Sequence, residues 1–207
     1  MGFFTSYMEE EMSHYFINDE KLNHEESTYR LTIFSHNFSF TTDRGVFSKD
    51  GLDYGSKTLI EAIKIEENTH SLLDMGCGVG VMGIILKKIN PKLNLTMCDV
   101  NLRAVELAKR NANQNNIEAN ILVSDLFEKI EGKFDLIMSN PPIRAGKKVI
   151  YALYRDAKDH LNDGGSLWIV VRKQQGAKST IDYLKTLYKE VFVPVKDKGF
   201  YVICAIK

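Results

Sequence analysis

Long hydrophobic runs, metal-ligand clusters and a surplus of charge are all missing from this chain of 207 residues. No apolar run reaches the ~18 residues that a membrane-spanning helix needs. The first residues lack the basic and apolar regions of a secretory signal. The three cysteines (Cys77, Cys98 and Cys204) and the five histidines show no metal-ligand spacing. We therefore expect a cytoplasmic protein with free thiols, no metal site and no membrane partner.

The charges balance overall but are distributed unevenly along the chain. There are 27 basic and 27 acidic side chains, yet residues 1–27 contain seven acids and one lysine. That segment carries a net charge of −6, so the remainder carries +6. We interpret residues 1–27 as an acidic N-terminal extension and residues 28–207 as one domain. Zero net charge alone argues against a polyanionic partner, whereas the basic remainder permits RNA binding.

Apolar periodicity predicts an α/β protein. From residue 71 onward, strand-like and helix-like segments alternate, which is typical of a mostly parallel sheet with helices on both faces. Strands are expected at 71–74, 93–99, 121–123, 134–139 and 167–171, and helices at 81–89, 101–113, 149–161 and 179–188. Leu102, Val105, Leu107 and Ala108 should form the buried side of the second of these helices.

Both ends of the domain depart from this alternation. Residues 28–41 alternate apolar and polar side chains and predict a small N-terminal β extension of two strands around residues 35–37. Ser56 is expected to cap a helix that runs to about Ile65. Strands at 191–195 and 200–206 are separated by four residues, too few for a crossover helix, so this last pair should be antiparallel.

A glycine-rich loop follows the first predicted parallel strand and leaves two cofactors open. Gly78, Gly80 and Gly83 match the dinucleotide pattern G-x-G-x-x-G, and Asp99 lies 19 residues after Gly80. A nicotinamide cofactor is therefore one candidate ligand of this loop. Asp74, which precedes the glycines, would repel a pyrophosphate but would suit an ammonium group, such as that of S-adenosylmethionine.

A second motif, Asn140-Pro141-Pro142-Ile143, directly follows the strand at 134–139. Two consecutive prolines form a stiff corner without backbone N–H groups, and the Asn side chain offers an acceptor oxygen. Ligands of open α/β sheets bind outside the carboxyl ends of the strands. The corner is therefore expected to receive a substrate that carries an amino group.

In combination, these motifs and the final hairpin resemble the class I S-adenosylmethionine-dependent methyltransferases. The resemblance implies a seven-stranded Rossmann-like sheet, mostly parallel with an antiparallel last strand. It also implies a cofactor site in which Asp99 binds the ribose hydroxyls and Asp125 receives the adenine amino group. The expected cofactor-binding residues are Asp74, Gly76, Cys77, Gly78, Gly80, Asp99, Val100, Ser124, Asp125, Leu126 and Asn140. The product would be S-adenosylhomocysteine.

The segment from Gly45 to Ser56 is similar to the one that precedes the catalytic domain of bacterial small-subunit ribosomal RNA guanine-N2 methyltransferases. This resemblance implies methylation of guanine N2, with Asn140, Pro141, Pro142 and Ile143 as catalytic residues. Ile143 replaces an aromatic residue found in many amino-methyltransferases. Ribosomal RNA or the small ribosomal subunit would be the partner, and a dimer is possible. Expected substrate-binding residues are Phe47, Asp50, Asp53, Tyr54, Arg144 and Lys173.

Two other functions remain open at this point. The Asn-Pro-Pro corner also serves N-methyltransferases that act on a protein glutamine or a small amine. A catalytically silent RNA-binding module could share the same fold.

Overall fold

The repeated strand–helix pattern from residue 71 onward folds into an open seven-stranded sheet. The computed structural model describes residues 25–44, 46, 51–142 and 145–207. Within them, a two-stranded sheet of β1 and β2 accompanies a seven-stranded sheet of order β5-β4-β3-β6-β7-β9-β8. The strands are β1 Ser27–Ile33, β2 His36–Thr42, β3 Ser71–Met75, β4 Asn94–Asp99, β5 Asn120–Val123, β6 Phe134–Ser139, β7 Leu161–Arg172, β8 Glu190–Asp197 and β9 Phe200–Ile206. The helices are α1 Tyr54–Ala62, α2 Val81–Ile89, α3 Leu102–Gln114, α4 Lys147–Asp159 and α5 Ala177–Leu187.

The direction of chain progression reverses at the centre of the sheet. From β3 the chain proceeds outward through β4 to β5, and it then returns to place β6 on the other side of β3. The carboxyl ends of β3 and β6 therefore border the topological switch point, where ligands of open α/β sheets bind. Asp74 lies in β3 and Asn140 directly follows β6, so both expected site motifs lie at this point.

The final hairpin is antiparallel, as predicted. β9 pairs antiparallel with both β7 and β8. The turn consists of Lys198 and Gly199, which have φ values of 42° and 80°. Positive φ at both central residues is typical of the tight turns that match the right-handed twist of the flanking strands. The seven-stranded sheet with one antiparallel strand therefore confirms the predicted fold class.

Two apolar layers cover the sheet. One packs α1, α2, α3 and the β1–β2 hairpin against one face, and the other packs α4 and α5 against the opposite face. Neighbouring strand residues alternate between them, as Leu72 and Leu73 do in β3. Strands that are buried on both faces are apolar throughout.

The predicted β extension is anchored to α3 by side-chain amides. The Asn111 amide accepts from Thr41 N (2.7 Å) and donates to Thr41 O (2.9 Å). Asn115 makes the same pair of bonds with the backbone of Ser39, at 3.0 and 2.8 Å. Each amide thus substitutes for the backbone of a neighbouring strand. Of the predicted acidic extension, residues 1–24 lie outside the described residues.

Some predicted boundaries and buried positions were wrong. Helix α1 is capped by Asp53, whose side chain accepts from Gly55 N and Ser56 N, and it ends at Ala62. Ser56 is therefore inside the helix and not its cap. Leu161, predicted to end a helix, begins β7 because it pairs with Phe134 of β6. Leu102 is 46% exposed, because the first turn of α3 lies at the carboxyl edge of the sheet.

In the described part of the chain, no helix is long and apolar enough to cross a membrane. The three cysteines are unpaired and buried.

Candidate active site at the carboxyl edge of the sheet

Hydrogen bonds from its backbone N–H groups fix the glycine loop after β3. Gly76, Gly78 and Gly80 have φ values of 71°, 55° and 87°, which glycine adopts without strain. The N–H groups of Gly76 and Cys77 both donate to Cys98 O (2.9 Å each), and Gly80 N donates to Cys77 O (2.9 Å). Gly78 N donates to the Asp99 carboxylate (2.9 Å). These four N–H groups have acceptors within the protein, so they are not directed at a phosphate.

The third glycine of the dinucleotide-like pattern has a packing role. A Cβ on Gly83 would lie 2.7 Å from Met97 Sδ and 3.1 Å from Asp74 Oδ2. Only glycine lets α2 approach β3 and β4 this closely. Helix–sheet packing therefore accounts for the third glycine of the G-x-G-x-x-G match, whichever cofactor the loop holds.

Asp74 is a buried carboxyl group with one unsatisfied oxygen. Its side chain is 0% exposed. Oδ2 accepts the N–H of Gly83 (2.9 Å), whereas Oδ1 has no partner among the described residues. Burial raises the pKa of Asp74 to about 7, the Gly83 hydrogen bond opposes this rise, and the negative charge of Asp99 adds to it. A buried acceptor without a donor suits a ligand that carries N–H groups.

Asp99 joins the glycine loop to the end of β4. It is 3% exposed, and its two oxygens accept from Gly78 N and Asn101 N, both at 2.9 Å. The cap of α3 is Asn101, whose side chain accepts from Ala104 N (3.2 Å). Two carboxyl groups, Asp74 and Asp99, therefore border the loop. Their charge disfavours a pyrophosphate and favours a cationic ligand.

The turn after β5 forms the next part of the edge. Ser124 is buried and donates to Leu126 O (2.9 Å), while its backbone N–H donates to Asp99 O (3.0 Å). Leu126 has φ 46°, an unfavourable value for a residue with a Cβ. Asp125 is exposed in this turn, and Val100 is half-buried after β4. The backbone of Ser124 thus connects this turn to Asp99.

Asn140 is oriented by the first turn of α1. Its Nδ2 donates to Ser56 Oγ at 3.0 Å and lies 3.5 Å from Asp53 Oδ1, at the outer limit of a hydrogen bond. Because a carboxylate oxygen can only accept, the Asn140 atom facing Asp53 must be the amide nitrogen. The Asn140 Oδ1 is then left as an acceptor without a hydrogen bond among the described residues.

The strand end beside Asn140 is fixed to the glycine loop. Ser139 Oγ donates to Met75 O (2.7 Å), which connects β6 to the residue before Gly76. Pro141 is buried and Pro142 exposed, and Ala145 N donates to Pro142 O (2.9 Å). The asparagine is therefore attached to the part of the edge where the glycine loop begins.

The described members of the expected substrate-binding set lie beside Asn140 and at the β8–β9 hairpin. Asp53 lies beside Asn140, and its Oδ2 is buried without a partner among the described residues. Tyr54 contacts the β8–β9 hairpin: its ring packs on Phe200, with centroids 5.7 Å apart, and its hydroxyl donates to Asp197. Lys173 is also at this hairpin, where its backbone N–H donates to Gly199 O (2.7 Å). Phe47, Asp50, Ile143 and Arg144 lie outside the described residues.

Ser56 is a site residue that sequence reasoning missed. The sequence predicts a helix cap at this position, yet the Ser56 hydroxyl accepts from Asn140, 84 residues further along the chain. No local pattern indicates such a pair, because only the folded sheet brings α1 against the end of β6.

Comparison with known proteins identifies the family. Residues 37–204 match the model of the methyltransferase small domain. The chain is 42% identical over 197 residues to the uncharacterised protein YbxB of Bacillus subtilis, covering 94% of this chain and 98% of that protein. It is 42% identical over 139 residues to the ribosomal RNA small subunit methyltransferase C of Serratia proteamaculans, covering 65% of this chain. The chain spans 40% of the length of that relative.

A solved structure shares the fold. The 16S rRNA N2 methyltransferase of T. thermophilus, determined with AdoMet and guanosine, superimposes with a TM-score of 0.78 at 22% identity. The match covers 88% of this chain and 50% of that one. At this identity the likeness supports the fold alone. The family match, which covers most of the chain, confirms the predicted class of enzyme and its cofactor. The chain belongs to the methyltransferase small-domain family, a group of class I, S-adenosylmethionine-dependent methyltransferases.

Proposed function

We propose that this protein transfers a methyl group from S-adenosylmethionine to the exocyclic N2 amino group of a guanine in small-subunit ribosomal RNA. The observation that carries the proposal is the orientation of Asn140. Its amide nitrogen faces Ser56 and Asp53, so its oxygen remains as the acceptor for an incoming amino group. An acceptor held in this way selects a substrate with N–H donors.

The residues at the edge of the sheet fit the cofactor. The unsatisfied Asp74 Oδ1 would receive the ammonium group of the methionine moiety. The Asp99 carboxylate, which accepts the N–H groups of Gly78 and Asn101, would receive the ribose hydroxyls. Gly76, where a Cβ would meet nothing within 4 Å, lies next to open space that the cofactor chain could fill. Val100, Asp125 and Leu126 would border the adenine.

The proposed mechanism relies on positioning. S-adenosylmethionine would supply an electrophilic methyl group and leave as S-adenosylhomocysteine when its bond from sulfur to the methyl carbon breaks. The methylated amino group would release one of its protons to solvent. The amino group of guanine is a weak nucleophile because its lone pair is delocalised into the ring. Hydrogen bonds from its N–H groups to Asn140 Oδ1 and to the Pro141 carbonyl would localise that lone pair and direct it toward the methyl carbon. Ser56 and Asp53 keep the acceptor in place, and the rigid prolines limit its movement.

The choice of substrate is supported by the relatives. The S. proteamaculans protein is named as a methyltransferase of small-subunit ribosomal RNA, and the T. thermophilus structure contains guanosine. The base must leave its stack to reach a site at the edge of the sheet. Glutamine or a small amine as substrate, and a silent RNA-binding module, are the alternatives that an experiment must separate.

Methyl transfer to ribosomal RNA from cells that lack the protein tests the proposal. Naked 16S rRNA and isolated small subunits would be incubated with the enzyme and labelled S-adenosylmethionine, and the nucleosides analysed by mass spectrometry. We expect N2-methylguanosine with one of the two substrates. A label found only in protein, or in no macromolecule, would contradict the proposal.

The Asn140→Ala variant provides the matched comparison. It should reduce kcat by a factor of at least ~100, since the acceptor that localises the lone pair is removed. Binding of S-adenosylhomocysteine, measured by calorimetry, should change only a few-fold. Near-normal turnover by this variant would show that Asn140 does not have the proposed role.

A further inference from the structure

Cations and aromatic rings interleave around the tip of the β8–β9 hairpin. Lys198 Nζ lies 4.5 Å from the centroid of the Tyr54 ring. Arg172 Cζ lies 4.7 Å from the Phe200 ring, and Lys196 Nζ lies 5.1 Å from the Tyr201 ring. We call Tyr54, Arg172, Lys196, Lys198, Phe200 and Tyr201 the hairpin surface.

The charges of the hairpin surface are available to an outside partner. Arg172, Lys196 and Lys198 are exposed, as is the neighbouring Lys173. Within the described residues, none of these four cations pairs with a carboxylate. The nearby Asp197 accepts the hydroxyl of Tyr54. The hairpin tip therefore has an excess of positive charge that contributes no ion pair to the described fold.

The hairpin surface is connected to the Asn140 site through α1. A Cβ on Gly55 would lie 2.9 Å from Phe200 Cε1, so the Phe200 ring packs directly on the first turn of this helix. The same turn contains Asp53 and Ser56, the two contacts of the Asn140 amide. A polymer whose base is bound at Asn140 would therefore have its neighbouring units close to the hairpin surface.

We propose that the hairpin surface binds the nucleotides that flank the target base in single-stranded RNA. This inference rests on the proposed function and adds the site that holds the polymer. The cations would contact phosphates, and the Tyr54 ring, together with the Arg172 guanidinium that lies over Phe200, would stack on bases. Aromatic rings interleaved with cations are typical of proteins that bind single strands, because every base has a face that can stack. An acidic protein would pair with the cations but has no bases to stack on the aromatic rings.

Binding of a fluorescein-labelled single-stranded RNA, followed by anisotropy at several KCl concentrations, tests the charges. The double variant Lys196→Ala, Lys198→Ala should bind ~10-fold more weakly and lower the slope of log K against log [KCl] by about 1.4, because two phosphate contacts are lost. The matched control is Lys92→Ala, Lys133→Ala, which removes two exposed charges that precede β4 and β6 at the opposite edge of the sheet. Its affinity and salt slope should equal those of the wild type.

Tyr54→Leu tests the rings without changing the charge of the protein. It should weaken RNA binding ~5-fold or more, because a stacking face is lost. A polyglutamate peptide added as a competitor should not change the RNA affinity of the wild type or of any variant. Retained binding of S-adenosylhomocysteine shows that each variant is folded. Equal RNA affinity and salt slope in the double variant and its control would overturn the proposal, as would a wild type that does not bind RNA.

The two proposals can fail separately. If the protein binds RNA through the hairpin surface but does not methylate guanine N2, the proposed function is overturned while the proposed binding site still stands. Methylation with an RNA KM that is the same in the double variant and its control would overturn the binding site and leave the function.

Discussion

The buried carboxyl group of Asp74 should make cofactor affinity depend on pH. Because its pKa is raised to about 7, Asp74 in the free protein is mostly protonated at about pH 6 and mostly ionised at about pH 8. If the ionised form binds the ammonium group, protonated Asp74 must lose its proton when ligand binds. The dissociation constant of S-adenosylhomocysteine should then rise ~10-fold from about pH 8 to about pH 6, or about 1.4 kcal/mol.

Calorimetric titration at several pH values measures this change directly. The Asp74→Asn variant keeps an oxygen that can accept the N–H of Gly83 but removes the titrating group. It should bind more weakly than the wild type at about pH 8 and show no pH dependence over the same interval. Asp163→Asn, at an exposed position, is the control and should follow the wild type. A dissociation constant of the wild type that is constant with pH would refute the role of Asp74.

The same pKa predicts how stability changes without ligand. Because the folded-state pKa lies above the ordinary value of 3.8, the folded protein binds more protons than the unfolded chain between about pH 4 and pH 7. The contribution of Asp74 to stability is therefore present below that interval and is lost as pH rises through about 7. Across the full interval the contribution of Asp74 to the free energy of unfolding falls by roughly 4 kcal/mol. In urea denaturation, Asp74→Asn should gain stability relative to the wild type between about pH 5 and about pH 8. An unchanged difference would show that Asp74 is not protonated in the folded state.

Three further predictions concern packing and positioning. Ser56→Ala should lower kcat ~5- to 10-fold, because one neutral hydrogen bond to the Asn140 amide is lost, while calorimetry should give an unchanged affinity for S-adenosylhomocysteine; an unchanged kcat would contradict this. Gly83→Ala should destabilise the protein by about 1–3 kcal/mol in urea, since its Cβ would lie 2.7 Å from Met97 Sδ, and an equally stable variant would show that α2 can move away at no cost. Asn111→Ala should loosen the attachment of the β1–β2 hairpin to α3, which hydrogen exchange at residues 27–42 would detect as faster exchange than in the wild type. Equal exchange rates would mean that Asn115 and the packing of Phe38 and Phe40 hold the hairpin without Asn111.

Local signals explain why the fold class was predictable. A strand buried on both faces is apolar throughout, and a connection of four residues leaves no room for a crossover helix. These constraints act within a few residues of each other, so alternation from residue 71 onward predicts the parallel sheet, and the final hairpin predicts its antiparallel strand. The positions of the glycine loop and the Asn-Pro-Pro corner were also predictable from local sequence, because each directly follows a strand.

Boundaries were less predictable where two signals compete. Both Asp53 and Ser56 can cap a helix, and the chain gives no local reason to prefer one. The structure uses Asp53 as the cap, so the Ser56 hydroxyl is free to meet Asn140. Leu161 continues the apolar spacing of α4 but belongs to β7, since pairing with Phe134 extends the sheet. Tertiary pairing overrides periodicity in such cases.

The sequence by itself determined the class of protein: the order of strands and helices, the glycine loop, and an asparagine at the end of a central strand. Only the tertiary structure decided what those groups do. It buries Asp74 and raises its pKa, gives the backbone N–H groups of the glycine loop internal acceptors, and directs the Asn140 nitrogen toward α1. Each of these outcomes depends on contacts between distant segments, because burial and hydrogen-bond partners exist only after the sheet has formed.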